Sequence, residues 1–120
     1  MSTLEPQENF RLQRVNTRKA FADDLVQKGA NGYGIAMSTN AMYQELYSKN
    51  ADGLYAEYGA VKGNRDTLPR EVQEDVMVAE IVARRQVNKH SVAAQQQRQI
   101  NLELRDVVKK ATKQAKDILY

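Results

Sequence analysis

Apolar residues recur at helical spacing in several segments of this chain, and no segment shows the strict alternation that is typical of a half-buried strand. The first such segment is Asn16–Lys28, in which Phe21 and Leu25 share one face and the leading asparagine can serve as the N-cap. Two alternatives stay open for residues 1–15: a flexible segment, or an extension of this helix back toward Pro6. The pattern as a whole predicts an all-α protein.

A dense group of turn-forming residues follows the first helix. Three glycines occur within Gly29–Gly34, which predicts a loop, because glycine adopts conformations that end regular structure. Beyond it, the polar residues 38–40 offer three possible N-caps for a short helix, and Asn50 can cap a second one that Gly59 closes. The apolar face of the first short helix comprises Met42, Tyr43, Leu46 and Tyr47. The two short helices are expected to form a helical hairpin.

Two longer helices are predicted in the second half of the chain. Pro69 is expected in the first turn of one of them, where its missing N–H costs nothing. The core stripe of this helix would comprise Leu68, Val72, Val76, Ala79 and Ala83. The polar run Asn88–Ser91 interrupts the apolar pattern, and either end of the run can cap a last helix that extends almost to Tyr120. Because neither proline nor glycine occurs after Arg70, one continuous helix is the alternative.

The last helix has two distinct faces. At about 100° per residue, one face is apolar and shows a heptad-like spacing. Its members are Ile100, Leu104, Val107, Val108, Ala111, Ala115 and Ile118. The nearly opposite face is basic and consists of Arg98, Arg105, Lys109, Lys113 and Lys116. Such a basic face can follow nucleic-acid phosphates, or it can be the solvated side of an amphipathic helix.

The composition excludes several classes of chemistry. The 120 residues suit one domain, and the absence of cysteine removes disulfides, thiolate metal sites and cysteine nucleophiles. The single histidine, His90, has no acidic residue within eight positions, so no metal site is expected. No nucleophile elbow or phosphate-binding loop occurs. The chain is therefore predicted to be neither an enzyme nor a cofactor protein. Without a signal peptide or a long apolar run, it is expected to be cytoplasmic and to avoid membranes.

Charge is distributed unevenly around a formal net charge of +3. Residues 45–80 carry eight acidic and four basic side chains, whereas residues 84–120 carry three acidic and nine basic ones. This polarity could attract a polyanion to the C-terminal part, or it could let two parts of one chain, or two copies of it, attract each other.

Tyrosine is concentrated in the middle of the chain. Five of the six tyrosines lie between Tyr33 and Tyr58. Because tyrosine combines apolar area with a polar tip, these side chains could anchor an interface or stack on bases. Three of them are nevertheless expected to serve mostly as core, namely Tyr43, Tyr47 and Tyr55. The candidate interface residues are Tyr43, Tyr47, Tyr55, Tyr58 and Arg65.

The order of these motifs resembles a known family. The run Thr39–Tyr47 follows the pattern T-N-x-x-Y-x-x-L-[FY], and Tyr58–Gly59, the lysine-glycine turn of Lys62–Leu68 and the helix Glu71–Ala83 come after it. This arrangement resembles the C-terminal helical segment of DNA-damage-inducible protein D and of related phage antirepressor-like proteins, which are associated with BRO and KilA-N domains. In that family an N-terminal BRO-type domain is thought to bind DNA, and 120 residues leave no room for one.

The resemblance implies a bacterial or phage regulatory protein of the cytoplasm that acts by binding. The leading hypothesis is a small phage or mobile-element protein that binds a host protein or a nucleoprotein complex, and that could inhibit a host defence or DNA-repair factor. A homodimer through the heptad-like face is expected. The alternative is a nucleic-acid-binding protein that uses the basic face of the last helix.

Overall fold

A computed structural model describes residues 5–120, and within that range it contains five α-helices, one 3-10 turn and no strand, which confirms the all-α prediction. The elements are α1 (Pro6–Gln27), α2 (Gly32–Tyr47), α3 (Ala51–Glu57), the 3-10 turn (Arg65–Thr67), α4 (Arg70–Lys89) and α5 (Gln97–Leu119). The long C-terminal helix is present as expected. Part of the open question on residues 1–15 concerns residues 1–4, which lie outside the described residues.

Helix α1 is longer than the expected segment. It begins at Pro6, so residues 6–15 are helical and Asn16 lies inside the helix rather than at its cap. The extension is held by tertiary contacts, because Phe10 is buried and the guanidinium of Arg70 lies 3.8 Å from the centre of its ring. The end is as predicted: Gly29, just beyond the helix, has a φ of +108°.

Helix α2 starts inside the segment that was expected to be a loop. It begins at Gly32, and residues 38–40 lie in its middle instead of capping it. Asn31 is the N-cap, since its side chain accepts a hydrogen bond from the backbone N–H of Gly34 at 3.0 Å. A Cβ atom on Gly34 would lie 2.2 Å from Oδ1 of Asn101 in α5. Gly34 therefore allows α2 and α5 to approach closely, and the break between α1 and α2 is limited to residues 28–31.

The next two elements are close to their predicted form. Asn50 caps α3 by accepting from the N–H of Gly53 at 2.9 Å, and Gly59 has a φ of +61° after the end of the helix. Pro69 is the N-cap of α4 and so precedes the first turn in which it was expected. The predicted stripe of α4 is at most 4 % exposed at each of Leu68, Val72, Val76, Ala79 and Ala83.

The connection between α4 and α5 differs from both expected forms. Helix α4 ends at Lys89 and α5 begins at Gln97, so the last helix neither starts within Asn88–Ser91 nor continues from α4. A side chain of α5 holds the intervening backbone. The carboxylate of Glu103 accepts hydrogen bonds from the backbone N–H groups of residues 93 and 94, with shortest distances of 2.9 and 3.2 Å, and lies 2.7 Å from Nε2 of His90.

These bonds predict a pH-dependent contribution to stability. The hydrogen bond with His90, followed by the bond from Ala93, lowers the pKa of Glu103 below its ordinary value of 4.5. A carboxyl group whose pKa is lower in the folded protein than in the unfolded chain stabilises the fold at pH values above its unfolded-state pKa. This stabilisation is lost as the pH falls through the folded-state pKa. Glu103→Gln is therefore expected to lower the denaturation midpoint most at neutral pH and progressively less below about pH 4.5.

Chemical denaturation of both proteins across this pH range checks the prediction. Glu74→Gln is the matched control, because Glu74 is exposed and pairs only with exposed Arg70 at 3.2 Å. A difference between Glu103→Gln and the parent protein that stays constant from neutral to acid pH would contradict the role assigned to this carboxylate.

Helix α5 lies against α2 and α4, and α1 lies against α4. The apolar face of α5 is buried in this arrangement, with Leu104, Val108, Ala111 and Ala115 all fully enclosed. Ile118 is the exception, since it is 73 % exposed near the end of the helix. Helices of the same chain thus cover most of the heptad-like face. This face is therefore not available as the interface of the expected homodimer.

No helix within residues 5–120 is both long enough and apolar enough to cross a membrane.

Candidate functional site

The five predicted basic residues of α5 lie along one side of that helix, and we call this surface the cationic face. Arg98, Lys109, Lys113 and Lys116 are exposed, whereas Arg105 is half-buried. Two of the five have acidic neighbours: Arg105 donates to Asp106 at 2.9 and 3.2 Å, and Lys113 lies 4.0 Å from a carboxylate oxygen of Glu45. The remaining three have no ion pair within the part of the chain that the structure describes.

The surroundings of the cationic face are nearly neutral. Helix α2 packs beside α5, and its sixteen residues include one charged side chain, Glu45. A shallow groove of about 320 Å³ separates Arg105 from Met37, Asn40 and Gln44 of α2. The positive potential of α5 is therefore little reduced by the helix next to it.

The predicted tyrosine interface is not one surface. Tyr43 and Tyr55 are 2 % and 5 % exposed and belong to the core, as expected for most of the tyrosines of the hairpin. Tyr47 is half-buried and packs against the core, whereas Tyr58 is 42 % exposed. Arg65 points inward, where its guanidinium lies 5.8 Å from the centre of the Tyr43 ring. These side chains stabilise the fold and leave little contiguous aromatic area for a partner.

One of these tyrosines, Tyr47 of α2, shares an acceptor on α4 with Tyr120 at the end of α5. Asp75 accepts hydrogen bonds on the same oxygen from the hydroxyl groups of Tyr47 at 2.9 Å and Tyr120 at 2.7 Å. Burial, followed by the bond to Asp75, raises the pKa of Tyr47, and the same causes raise the pKa of Tyr120 to about 12. Both hydroxyl groups are therefore protonated at neutral pH and serve as donors that hold the last residue in place.

A second concentration of positive charge was not predicted from the sequence. It lines a cavity of about 460 Å³ between α1, α2, the start of α3 and the 3-10 turn, and we call it the arginine cavity. Its arginines are Arg11, Arg14, Arg18 and Arg65. The first three recur at i, i+3 and i+7 along α1, which places them on one helix face and was the signal in the sequence that could have revealed them.

An ion pair with a fully buried carboxylate lies next to this cavity. Glu80 of α4 has no exposure, and Nη1 of Arg65 donates to both of its oxygens at 3.2 and 3.1 Å. Nη1 of Arg18 lies 3.6 Å from one of the same oxygens and donates to the hydroxyl of Thr39 at 2.9 Å. Burial raises the pKa of Glu80 against the attraction of Arg65 and Arg18, and burial together with the charge of Arg65 lowers the pKa of Arg18.

A carboxylate at the rim binds the other two arginines. Asp66 accepts from Nε of Arg11 at 3.1 Å and from Nη2 of Arg14. The bond from Arg11, together with the charges of both arginines, lowers the pKa of Asp66. Arg14 is 6 % exposed, and its buried Nε has no hydrogen-bond partner within the described part of the chain. A buried polar atom without a partner is uncommon in folded proteins.

No group of three or more His, Asp or Glu side chains within residues 5–120 is arranged to hold a metal ion. His90, for which no role was predicted, pairs with Glu103 in a structural contact.

Comparison with protein-family models, with curated proteins and with solved structures finds no match to this chain. The resemblance to DNA-damage-inducible protein D and the antirepressor-like proteins stays a prediction that depends on the motifs given above.

Proposed function

We propose that this protein is a small regulatory protein that acts by binding a nucleoprotein complex, and that the cationic face of α5 contacts nucleic-acid phosphates. The observation that carries this proposal is the exposure of four basic side chains along one uninterrupted helix. From Arg98 to Lys116 the face spans about 27 Å at about 1.5 Å per residue. Each strand of a DNA duplex presents a phosphate about every 3.4 Å of helix axis, so the face can meet several of them.

The packing of α5 favours this surface over the alternatives. Because its apolar face is buried against α2 and α4, the helix presents mainly its charged side to a partner. Burial of Tyr43 and Tyr55 removes two of the four tyrosines that were predicted to form a protein interface. The resemblance to antirepressor-like proteins supports the regulatory part of the proposal, and it is the basis for placing the protein in a phage or mobile-element setting.

The test is a salt titration of binding to short double-stranded and single-stranded DNA, followed by fluorescence anisotropy. The protein is expected to bind DNA without strong sequence preference and to lose affinity steeply as salt rises. The double substitution Lys109→Glu and Lys113→Glu is expected to weaken binding on the order of tenfold or more at low salt and to reduce the salt slope by about two.

A matched variant separates this surface from net charge. Lys19→Glu with Lys89→Glu makes the same change in charge at two exposed lysines outside α5, and it is expected to retain most of the affinity. Equal losses in the two variants would show that total charge, and not the cationic face, controls binding. Absence of binding to either form of DNA at low salt would overturn the nucleic-acid contact and favour a protein partner.

A further inference from the structure

We propose that the arginine cavity is a binding site for a phosphate group, either free or as the phosphate monoester of a small molecule. The site is separate from the proposed nucleic-acid surface, since no residue of α5 lines it. Three features of the cavity carry the inference: unused hydrogen-bond donors, uncompensated positive charge and suitable size.

The donors of the four arginines are only partly used. A guanidinium group has five N–H donors, and in this structure each of the four donates through a single nitrogen atom to partners within the described residues. The most telling case is Arg14, whose enclosed Nε has no partner among residues 5–120. A buried donor without an acceptor is costly, and because Arg14 lines the cavity, an anion bound there would lie close to this guanidinium.

The charges around the cavity do not balance. Four guanidinium groups face two carboxylates, Asp66 and Glu80, so two positive charges are left over. Lys62 also lines the cavity, but it pairs with Asp52 at 2.7 Å. Partly buried positive charge is unfavourable unless an anion compensates it. A phosphate monoester carries close to two negative charges at neutral pH and would restore the balance.

The size and the lining fit such a ligand. A volume of about 460 Å³ is within the usual range for small-molecule sites and exceeds what a lone phosphate needs. Planar guanidinium forks bind phosphate oxygens in pairs, and here they approach from α1 on one side and from the 3-10 turn on the other. Contacts to Tyr43 and Phe21 hold Arg65 and Arg18 in position, with guanidinium-to-ring distances of 5.8 and 5.6 Å.

The first experiment measures thermal unfolding of the full chain with inorganic phosphate, with acetate and with chloride at matched ionic strength. A ligand that binds only the folded state raises the melting temperature, and saturating phosphate is expected to raise it by about 5 °C or more. Acetate and chloride are expected to have little effect, because neither supplies a tetrahedral dianion. Isothermal titration with phosphate, AMP and adenosine then identifies the source of the group.

Two variants place the ligand in the cavity. Arg14→Gln, at the buried donor, and Arg11→Gln, at the exposed rim, are each expected to weaken phosphate binding, the first by about tenfold or more. Arg84→Gln is the control, because this arginine pairs with Asp24 outside the cavity, and it should bind phosphate as the parent protein does. The variant of Lys109 and Lys113 should also retain phosphate binding, so failure of this proposal and of the nucleic-acid proposal can be told apart.

A direct readout covers the case in which Arg14→Gln does not fold. In the ¹⁵N-labelled full chain, phosphate is expected to shift the Nε–H resonance of Arg14 more than that of Arg84. Tighter binding of AMP than of inorganic phosphate would identify an organic phosphate, and equal affinities would identify phosphate itself. Equal effects of phosphate, acetate and chloride, or unchanged affinity in both cavity variants, would overturn the proposal.

Discussion

Replacing Arg65 with alanine is expected to reduce the free energy of unfolding by about 3 to 5 kcal/mol, because it leaves the enclosed carboxylate of Glu80 without its main partner. Arg65 donates to both oxygens of Glu80, and the side chains are 12 % and 0 % exposed. Arg18, at 3.6 Å, compensates only in part. Urea denaturation at neutral pH measures the loss.

Two further variants test whether the loss in free energy of unfolding comes from breaking the ion pair between Arg65 and Glu80. Lys62→Ala removes an ion pair of similar length whose side chains are 73 % and 65 % exposed, and it should cost no more than about 1 kcal/mol. Replacing both partners, with Arg65→Met and Glu80→Leu, should recover much of the loss, since no unpaired carboxylate is then left in the core. A cost below about 1 kcal/mol for Arg65→Ala would contradict this account.

The acid side of the pH range offers an independent check on the same variant. Burial already raises the pKa of Glu80, and removal of Arg65 takes away an attraction that opposed that rise. In Arg65→Ala the pKa of Glu80 in the folded state should therefore rise further above its unfolded value than in the parent protein, so the variant gains stability relative to the parent protein as the pH falls.

Leu104→Ala is expected to cost about 2 to 5 kcal/mol, because it removes a fully buried side chain from the face of α5 that closes the core and leaves a cavity behind. Leu12→Ala removes the same atoms from a side chain of α1 that is 42 % exposed, and it should change stability by no more than about 0.5 kcal/mol. Chemical denaturation of both variants makes the comparison. Equal, small losses would show that α5 is not packed as described.

Locally determined features of this fold could be predicted from the sequence. The cap at Asn50, the left-handed residue at Gly59 and the stripe of α4 each depend on residues within a few positions of one another. The apolar face of α5 was also predicted, apart from Ile118, which lies near the end of the helix where no other element covers it.

Features that depend on distant partners could not be predicted in this way. Gly34 suggested a loop, whereas it allows close approach to Asn101 of α5, a contact between residues far apart in the sequence. The start of α5 at Gln97 likewise depends on the bonds of Glu103 to the preceding backbone. Propensity is a weak guide wherever such tertiary contacts decide the outcome.

The two candidate sites also differ in whether their residues are close together in the sequence. The cationic face was predictable because all five residues share one helix. The arginine cavity was not, because it joins α1 with the 3-10 turn and with Glu80 of α4, and only the spacing of its first three arginines is visible in the sequence.

The contact between Asn31 and Asn101 also bears on how the chain is synthesised. The start of α2 is held by a side chain from α5, and the buried surface of α2 is covered mainly by that last helix. A ribosome produces α2 well before α5, so the emerging N-terminal half presents uncovered apolar residues such as Met42 and Leu46 until the final helix is released. A chain that ends before α5 would thus display apolar surface of the kind that chaperones and proteases recognise.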